Sequence, residues 1–163
     1  ALPGGFIFVN KGLMSVLNDD ELAYVLGHEV GHVAARHIAK KLQSNMAYQL
    51  LIQIAFAGSD GNAAAIASGI DTVYNLIDLG YSRHDEYEAD RLGVKYAFRA
   101  GFKPEAALSS LEKIKKEEGP NWKVLEYFRS HPYAEERIAA LKKIIPQLTA
   151  QGENSPDWPG GNN

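Results

Sequence analysis

The sequence His28-Glu29-Val30-Gly31-His32 lies in a long stretch without proline whose composition is typical of a helix. Residues four apart fall on nearly the same face of an α-helix, so His28 and His32 can bind one metal ion from a single rigid element. Glu29 lies one step round the helix, where its carboxylate can reach a water molecule beside the metal without being a ligand. The pentapeptide therefore predicts two metal ligands and a general base.

The residues around the motif predict that it lies on a partly buried helix. Asn18 occupies an N-cap position, and Glu21 can complete a capping box three residues later. The predicted helix runs to Lys40 or beyond, because no proline or other breaker intervenes. Histidines in apolar surroundings cost desolvation unless they have partners, and a shared metal ion is one. The apolar stripe of this helix is formed by Leu22, Val25, Leu26, Val30 and Val33.

Composition excludes several classes of protein. A net charge of -3, with Lys and Arg spread through the chain, provides no cationic surface for nucleic acid. With no cysteine, any zinc must be held by His and carboxylate, which is the pattern of catalytic sites. A chain of 163 residues with 45% hydrophobic content can form one compact domain. We predict that domain over residues 1–150 and a disordered tail, rich in Pro, Gly and Asn, over residues 151–163.

The remaining segments predict a mainly α domain with one short strand. Phe6-Ile7-Phe8-Val9-Asn10, after the turn at residues 2–5, predicts a β-strand or hairpin edge beside the motif helix. Further helices are predicted from Ser82 to about residue 100 and from Pro104 to about residue 118. A short helix capped by Asn121 and a last one starting at residues 131–132 follow.

A catalytic zinc requires a third protein ligand, and the helix starting at Ser82 offers Glu86. Glu86 and Asp90 are four apart and share a face, so Glu86 can reach the metal while Asp90 accepts a hydrogen bond from a ligand imidazole. Glu88 is a competing candidate that is expected to be solvated, because it points away from the face of Asp90. Alone, Glu86 would be interpreted as a surface carboxylate. Together with Asp90 and the HExxH motif, it is favoured as a ligand.

The same segments carry a resemblance to a known family. Over residues 2 to about 145 the chain resembles the zinc metallopeptidases that include the prenyl-protein (CAAX) endopeptidases, the membrane protease HtpX and the periplasmic protease BepA. Polar residues within 42–57 make it more similar to the soluble, envelope-associated branch. The resemblance implies a zincin-like helical catalytic domain. It is carried, in order, by Leu2-Pro3-Gly4-Gly5, His28-Glu29-Val30-Gly31-His32-Val33-Ala34-Ala35-Arg36-His37, Ser82-Arg83-His84-Asp85-Glu86-Tyr87-Glu88-Ala89-Asp90 and His131-Pro132.

The resemblance also implies roles for individual residues. One Zn²⁺ per chain would be bound by His28, His32 and Glu86, with Glu29 as the base and Asp90 supporting a ligand. An extended substrate would pair with the edge strand formed by Gly5, Phe6, Ile7, Phe8 and Val9.

His131 has two interpretations. Alone, a His before Pro132 is most often a helix N-cap or loop residue. Its family counterpart lies at the cleft, where it would stabilise the oxyanion or occupy the fourth zinc position. Arg137 would anchor this loop or contact the cleft. His37 and His84 are expected at the surface or beside the ligands.

The implied function is that of a zinc endopeptidase of the bacterial cell envelope, located in the periplasm. It would hydrolyse unfolded or misassembled polypeptides, with peripheral-membrane or outer-membrane assembly partners and no nucleic acid. The alternative is a latent chaperone or assembly module whose zinc site is covered by residues 47–57 and the His131 loop, so that it serves binding more than cleavage. A purely structural metal site would leave Glu29 without a role. The oligomeric state is not defined by the sequence.

Overall fold

The computed structural model describes residues 1–2, 4–55, 80–116, 127 and 130–153. This part of the chain is mainly helical, as the sequence predicted. The predicted short helix at Asn121 lies outside the described residues, as does most of the predicted tail. The described helices are α1 (Lys11–Val16), α2 (Asp19–Ala34), α3 (His37–Ala55), α4 (Arg83–Arg99), α5 (Ala106–Lys116) and α6 (Ala134–Glu153).

Capping boxes fix the start of the two helices that carry the motifs. At α2, the Asn18 side chain accepts a hydrogen bond from the Glu21 N–H while Glu21 accepts one from the Asn18 N–H, as predicted. At α4, Ser82 and Asp85 make the same reciprocal pair. Each box satisfies N–H groups that would otherwise lack partners in the first helical turn.

The predicted N-terminal β-strand is wrong. Residues 6–10 form no strand, and a strand exists only when its N–H and C=O groups pair with a neighbour, which the described residues do not supply. Instead, the Leu2 N–H donates to the Phe6 carbonyl at 2.8 Å in a turn, and Phe6 and Phe8 are 64% and 76% exposed. Asn10 then caps α1, a helix that the sequence did not predict.

The prediction that the motif helix continues to Lys40 is also wrong. Helix α2 ends at Ala34, and Arg36 adopts the left-handed conformation with φ of 58° before α3 begins. Because a left-handed residue cannot continue an α-helix, the chain changes direction there. His37, the first residue of α3, is thereby returned towards the end of α2 and is buried.

Helices α2 and α4 form the centre of the fold and approach each other through glycines. A Cβ added to Gly93 would lie 2.8 Å from the His28 backbone nitrogen, and one added to Gly27 would lie 2.8 Å from the Gly93 carbonyl oxygen. Gly31 faces Ala89 in the same way, at 3.0 Å from its carbonyl oxygen. Backbone contacts this close require glycine, and they bring the side chains of the two motifs together.

The hydrophobic core lies between α2, α4, α5 and α6 and includes Val25, Val94, Leu111 and Leu141. The predicted apolar stripe of α2 is only partly buried: Leu26 and Val33 are each 36% exposed, and Val30 is 43% exposed. The face turned towards α4 is instead polar and glycine-containing. Among the described residues, no helix has the length and apolar character needed to cross a membrane.

Candidate metal centre

Four buried side chains from three parts of the chain converge on one point. His28, His32, Glu86 and His131 each offer a ligand atom, and these atoms all lie within 4.8 Å of one another. The two histidines lie one turn apart on α2, Glu86 lies in the first turn of α4, and His131 precedes α6. The structure therefore assembles the residues that the sequence predicted as ligands, together with His131.

The separations between these atoms fit a tetrahedral metal ion. The Nε2 atoms of His28 and His32 are 3.0 Å apart, and Glu86 Oε1 lies 3.4 Å from His32 Nε2. His131 Nδ1 lies 3.3 Å from His28 Nε2 and 3.2 Å from Glu86 Oε1. Four tetrahedral ligands at zinc bond lengths of about 2.0–2.2 Å are about 3.3–3.6 Å apart, so these four separations are close to those of such an ion, and the chemistry of the donor set fits it.

Asp90 and Arg137 contact two of the candidate ligands, His28 and Glu86, and orient them. Asp90 Oδ1 lies 2.8 Å from His28 Nδ1 and accepts a hydrogen bond from the Tyr24 hydroxyl at 2.7 Å. The buried Arg137 guanidinium donates to both Asp90 oxygens, at 2.6 and 2.9 Å. Its Nη1 forms an ion pair with Glu86 Oε2 at 2.6 Å, with angles outside those of a hydrogen bond. These contacts fix the orientation of the His28 imidazole and of the Glu86 carboxylate.

Glu29 and His131 face each other across the centre. Glu29 lies one residue after His28 on α2, and its Oε1 is 3.1 Å from His131 Nε2. The His131 ring also stacks on Tyr127, with centroids 4.7 Å apart. Its two nitrogens therefore reach both the carboxylate of Glu29 and the cluster around Glu86.

Electrostatics favours ionised carboxylates and a neutral His32. Burial would raise the pKa of Glu86, but the charge of Arg137 and hydrogen bonds from His131 and His32 hold that pKa well below its ordinary range. Burial would likewise raise the pKa of Glu29, but the hydrogen bond and charge of His131 outweigh burial, so that this pKa also lies well below its ordinary range. Burial lowers the pKa of His32 to about 3. An unprotonated imidazole beside an ionised carboxylate is the state that binds a metal ion.

Comparison with known proteins extends this picture, because the model of peptidase family M48 matches residues 1–145. The chain belongs to peptidase family M48. This membership confirms the enzyme class expected from the sequence, a metal-dependent protease. It also establishes the predicted resemblance at the level of the family.

Curated relatives of this M48 chain come from fungi, a plant and bacteria. The mitochondrial metalloendopeptidase OMA1 of Schizosaccharomyces pombe is 32% identical over 163 residues, covering 97% of this chain and 48% of the relative. The β-barrel assembly-enhancing protease of Escherichia coli is 29% identical over 155 residues, covering 89% and 31%. Metalloprotease LoiP of the same species is 31% identical, covering 93% and 59%. No solved structure matches significantly.

Two consequences follow from these relatives. The M48 chain spans about half or less of the length of most of them. The predicted bacterial periplasmic location is contradicted, because relatives from two yeasts and Arabidopsis thaliana are named as mitochondrial proteins. The physical reason for the error is that motif residues report the chemistry of a site, which the same family retains in different compartments.

The predicted substrate strand is divided between two cavities of the M48 chain. Phe8 and Val9 line a cavity of about 360 Å³ that Glu29 and His131 also line. Gly5 lines a second cavity of about 380 Å³, which His32 also borders. Phe6 and Ile7 are not among the residues that line either cavity.

Sequence reasoning missed one contact of the centre and left another open. The Tyr81 ring stacks on His32 with centroids 3.7 Å apart, and its position just before the Ser82 cap was the available signal. His37 is buried with its Nδ1 2.8 Å from His32 Nδ1, whereas His84 is exposed. Helical periodicity could not place His37, because the helix is interrupted before it.

Proposed function

We propose that this chain is the catalytic domain of a zinc-dependent endopeptidase that hydrolyses unfolded or misassembled polypeptides. The observation that carries the proposal is the buried group of His28, His32, Glu86 and His131 with the carboxylate of Glu29 at its edge. Imidazole and carboxylate ligands without cysteine are the donor set of catalytic zinc. Its M48 relatives are named as metalloendopeptidases or proteases, which supports a polypeptide substrate.

His28, His32 and Glu86 would hold the ion, with His131 at the fourth position in a resting form. A bound zinc ion would supply Lewis acidity to the scissile carbonyl and to the attacking water. The Asp90 carboxylate keeps the proton of His28 on Nδ1, so that the Nε2 lone pair faces the centre.

Glu29 is proposed as the general base. Its carboxylate would remove a proton from the attacking water and deliver it to the leaving amine. His131 is placed to donate a hydrogen bond to the oxyanion once its contact with Glu29 opens, because its hydrogen bonds to Glu29 and Glu86 raise its pKa against the effect of burial. The cavity lined by Phe8 and Val9 is also lined by this carboxylate and is proposed to receive the substrate.

The position of His131 also favours a second function. Its imidazole lies between Glu29 and Glu86, at 3.1 and 3.2 Å, and would compete with a substrate carbonyl for this position. A centre held in this state would be latent, and the chain would then bind unfolded partners without cleaving them. The name of the E. coli relative, a β-barrel assembly-enhancing protease, supports assembly partners for such a module.

Glu29→Gln separates metal binding from catalysis. We expect the variant to retain one zinc ion per chain and to lose hydrolysis of casein or a peptide library by orders of magnitude, because an amide cannot take the proton. His84→Ala, which removes an exposed histidine, is the matched control and should retain activity. Undiminished cleavage by Glu29→Gln would exclude Glu29 as the base.

His131→Ala distinguishes the enzyme from the latent module. Cleavage of unfolded casein by the wild type supports the endopeptidase, and cleavage by the variant alone supports an endopeptidase that His131 holds latent. If neither cleaves, while both bind unfolded casein and one zinc ion, the binding function is supported.

A further inference from the structure

His37 is a buried histidine outside the group of four converging side chains. Its Nδ1 lies 2.8 Å from His32 Nδ1, and the two rings meet edge to face with centroids 4.9 Å apart. Its Nε2 lies 3.3 Å from Glu88 Oε2 and 3.5 Å from Asp85 Oδ1, on helix α4. His37 therefore connects a ligand on α2 to the helix that carries Glu86.

The contact between the two Nδ1 atoms constrains where the protons lie. At 2.8 Å one nitrogen must donate and the other accept. His32 can bind a metal through Nε2 only if that nitrogen is unprotonated, so its proton lies on Nδ1 and is donated to His37. His37 then carries its own proton on Nε2, which faces the carboxylates of Glu88 and Asp85. One assignment of tautomers therefore satisfies the hydrogen bonds from His32 to His37 and from His37 to the two carboxylates.

The backbone is arranged to bring His37 to this position. Arg36 has φ of 58°, and such a conformation costs a non-glycine residue about 1 kcal/mol or more. Without this turn, a continuing helix would place residue 37 about 140° round the helix from His32 and more than one turn beyond it. The turn starts α3 at His37 and directs its imidazole back to His32.

We propose that His37 is a positioning residue that fixes His32 in the tautomer and ring orientation needed to bind the metal through Nε2. The ring of Tyr81 stacks on one face of His32 at 3.7 Å and restricts its plane, while His37 fixes which nitrogen carries the proton. The carboxylates of Glu88 and Asp85 orient His37 in turn. This inference rests on the metal binding proposed above.

Two isosteric variants test the role. Asn at position 37 keeps a hydrogen-bond acceptor near the place of Nδ1, whereas Gln keeps a donor near the place of Nε2 and loses the contact with His32. We expect His37→Asn to bind zinc with nearly the wild-type dissociation constant and His37→Gln to bind it about 10- to 100-fold more weakly. The measurements are competition with a chromophoric chelator and the visible absorption of the Co²⁺-loaded protein, on the full chain.

The wild-type protein supplies a measurement that does not depend on either variant folding. Long-range ¹H–¹⁵N correlation spectra of the zinc-loaded chain should show His32 protonated at Nδ1 and His37 protonated at Nε2. A neutral His37 protonated at Nδ1 would overturn the proposal. So would equal zinc affinities of the Asn and Gln variants, or weaker binding by Asn. If the wild type binds no zinc, the metal centre itself is refuted, which is a different result from a metal-binding chain in which both variants behave alike.

Discussion

Gly93→Ala tests whether the close contact of α2 and α4 assembles the centre. In an ordinary helix this change stabilises by about 1 kcal/mol, because alanine has the higher helix propensity. Here the added Cβ would lie 2.8 Å from the His28 nitrogen and 3.0 Å from its Cα, and both are backbone atoms that cannot rotate away. An ordinary contact begins at 3.4 Å, so the helices must separate by about 0.6 Å.

The separation has a cost that outweighs the gain in propensity. Overpacking of this kind costs about 1–3 kcal/mol, and an immovable backbone places it at the upper end of that range. The net destabilisation is therefore about 2 kcal/mol, which lowers the melting temperature of a domain of this size by about 5 °C. Zinc affinity should fall as well, because Glu86 moves with α4 while metal–ligand distances tolerate only about 0.2 Å.

Thermal unfolding of the metal-free chain and zinc competition measure the two effects separately. Lys95→Ala, an exposed change in the same helix, is the control and should alter stability by no more than about 0.5 kcal/mol. A Gly93→Ala variant that melts higher than the wild type, as propensity alone requires, would show that the helices do not approach as described.

Two further predictions concern buried charges. Glu21→Gln keeps the cap of α2 but weakens the contact with Lys113 Nζ at 2.7 Å, so stability at pH 7 should fall by about 1.5 kcal/mol. Burial would raise the pKa of Glu21, but hydrogen bonds lower it below 4.5. Ionised Glu21 therefore stabilises the fold above that pH. In urea unfolding, the difference in unfolding free energy between the variant and the wild type should vanish as the pH falls through the lowered pKa. A difference that stays constant down to pH 3 would contradict this. Asp90→Asn removes the negative charge beside the fully buried Arg137 and one of the two acceptor oxygens that serve Arg137 and His28, and should cost about 3–5 kcal/mol in the same assay. A loss below 1 kcal/mol would show that Glu86 alone compensates Arg137.

Local rules explain what could be predicted. The capping box at Asn18 and the spacing of His28 and His32 depend only on residues within two turns of one helix, and both follow from helix geometry. The partnership of Glu86 and Asp90 was inferred in the same way, from their spacing on α4. Enzyme class and family follow from the combination of these motifs.

Features that depend on distant partners could not be predicted. The strand at residues 6–10 failed because β-structure needs a neighbour, and the buried face of α2 was misjudged because glycines let α4 cover its polar side while Leu26 and Val30 stay exposed.

The amino-acid sequence by itself determined the chemistry of the centre: which side chains can bind a metal, which can act as a base, and on which helices they lie. The tertiary structure alone decided that α2 ends at Ala34, before the left-handed Arg36, that His37 returns to His32, and that His131 lies between Glu29 and Glu86. The reason is physical. Helix periodicity fixes the relative positions of residues a few places apart, whereas a left-handed residue or a contact across a hundred residues is stabilised only by packing between elements.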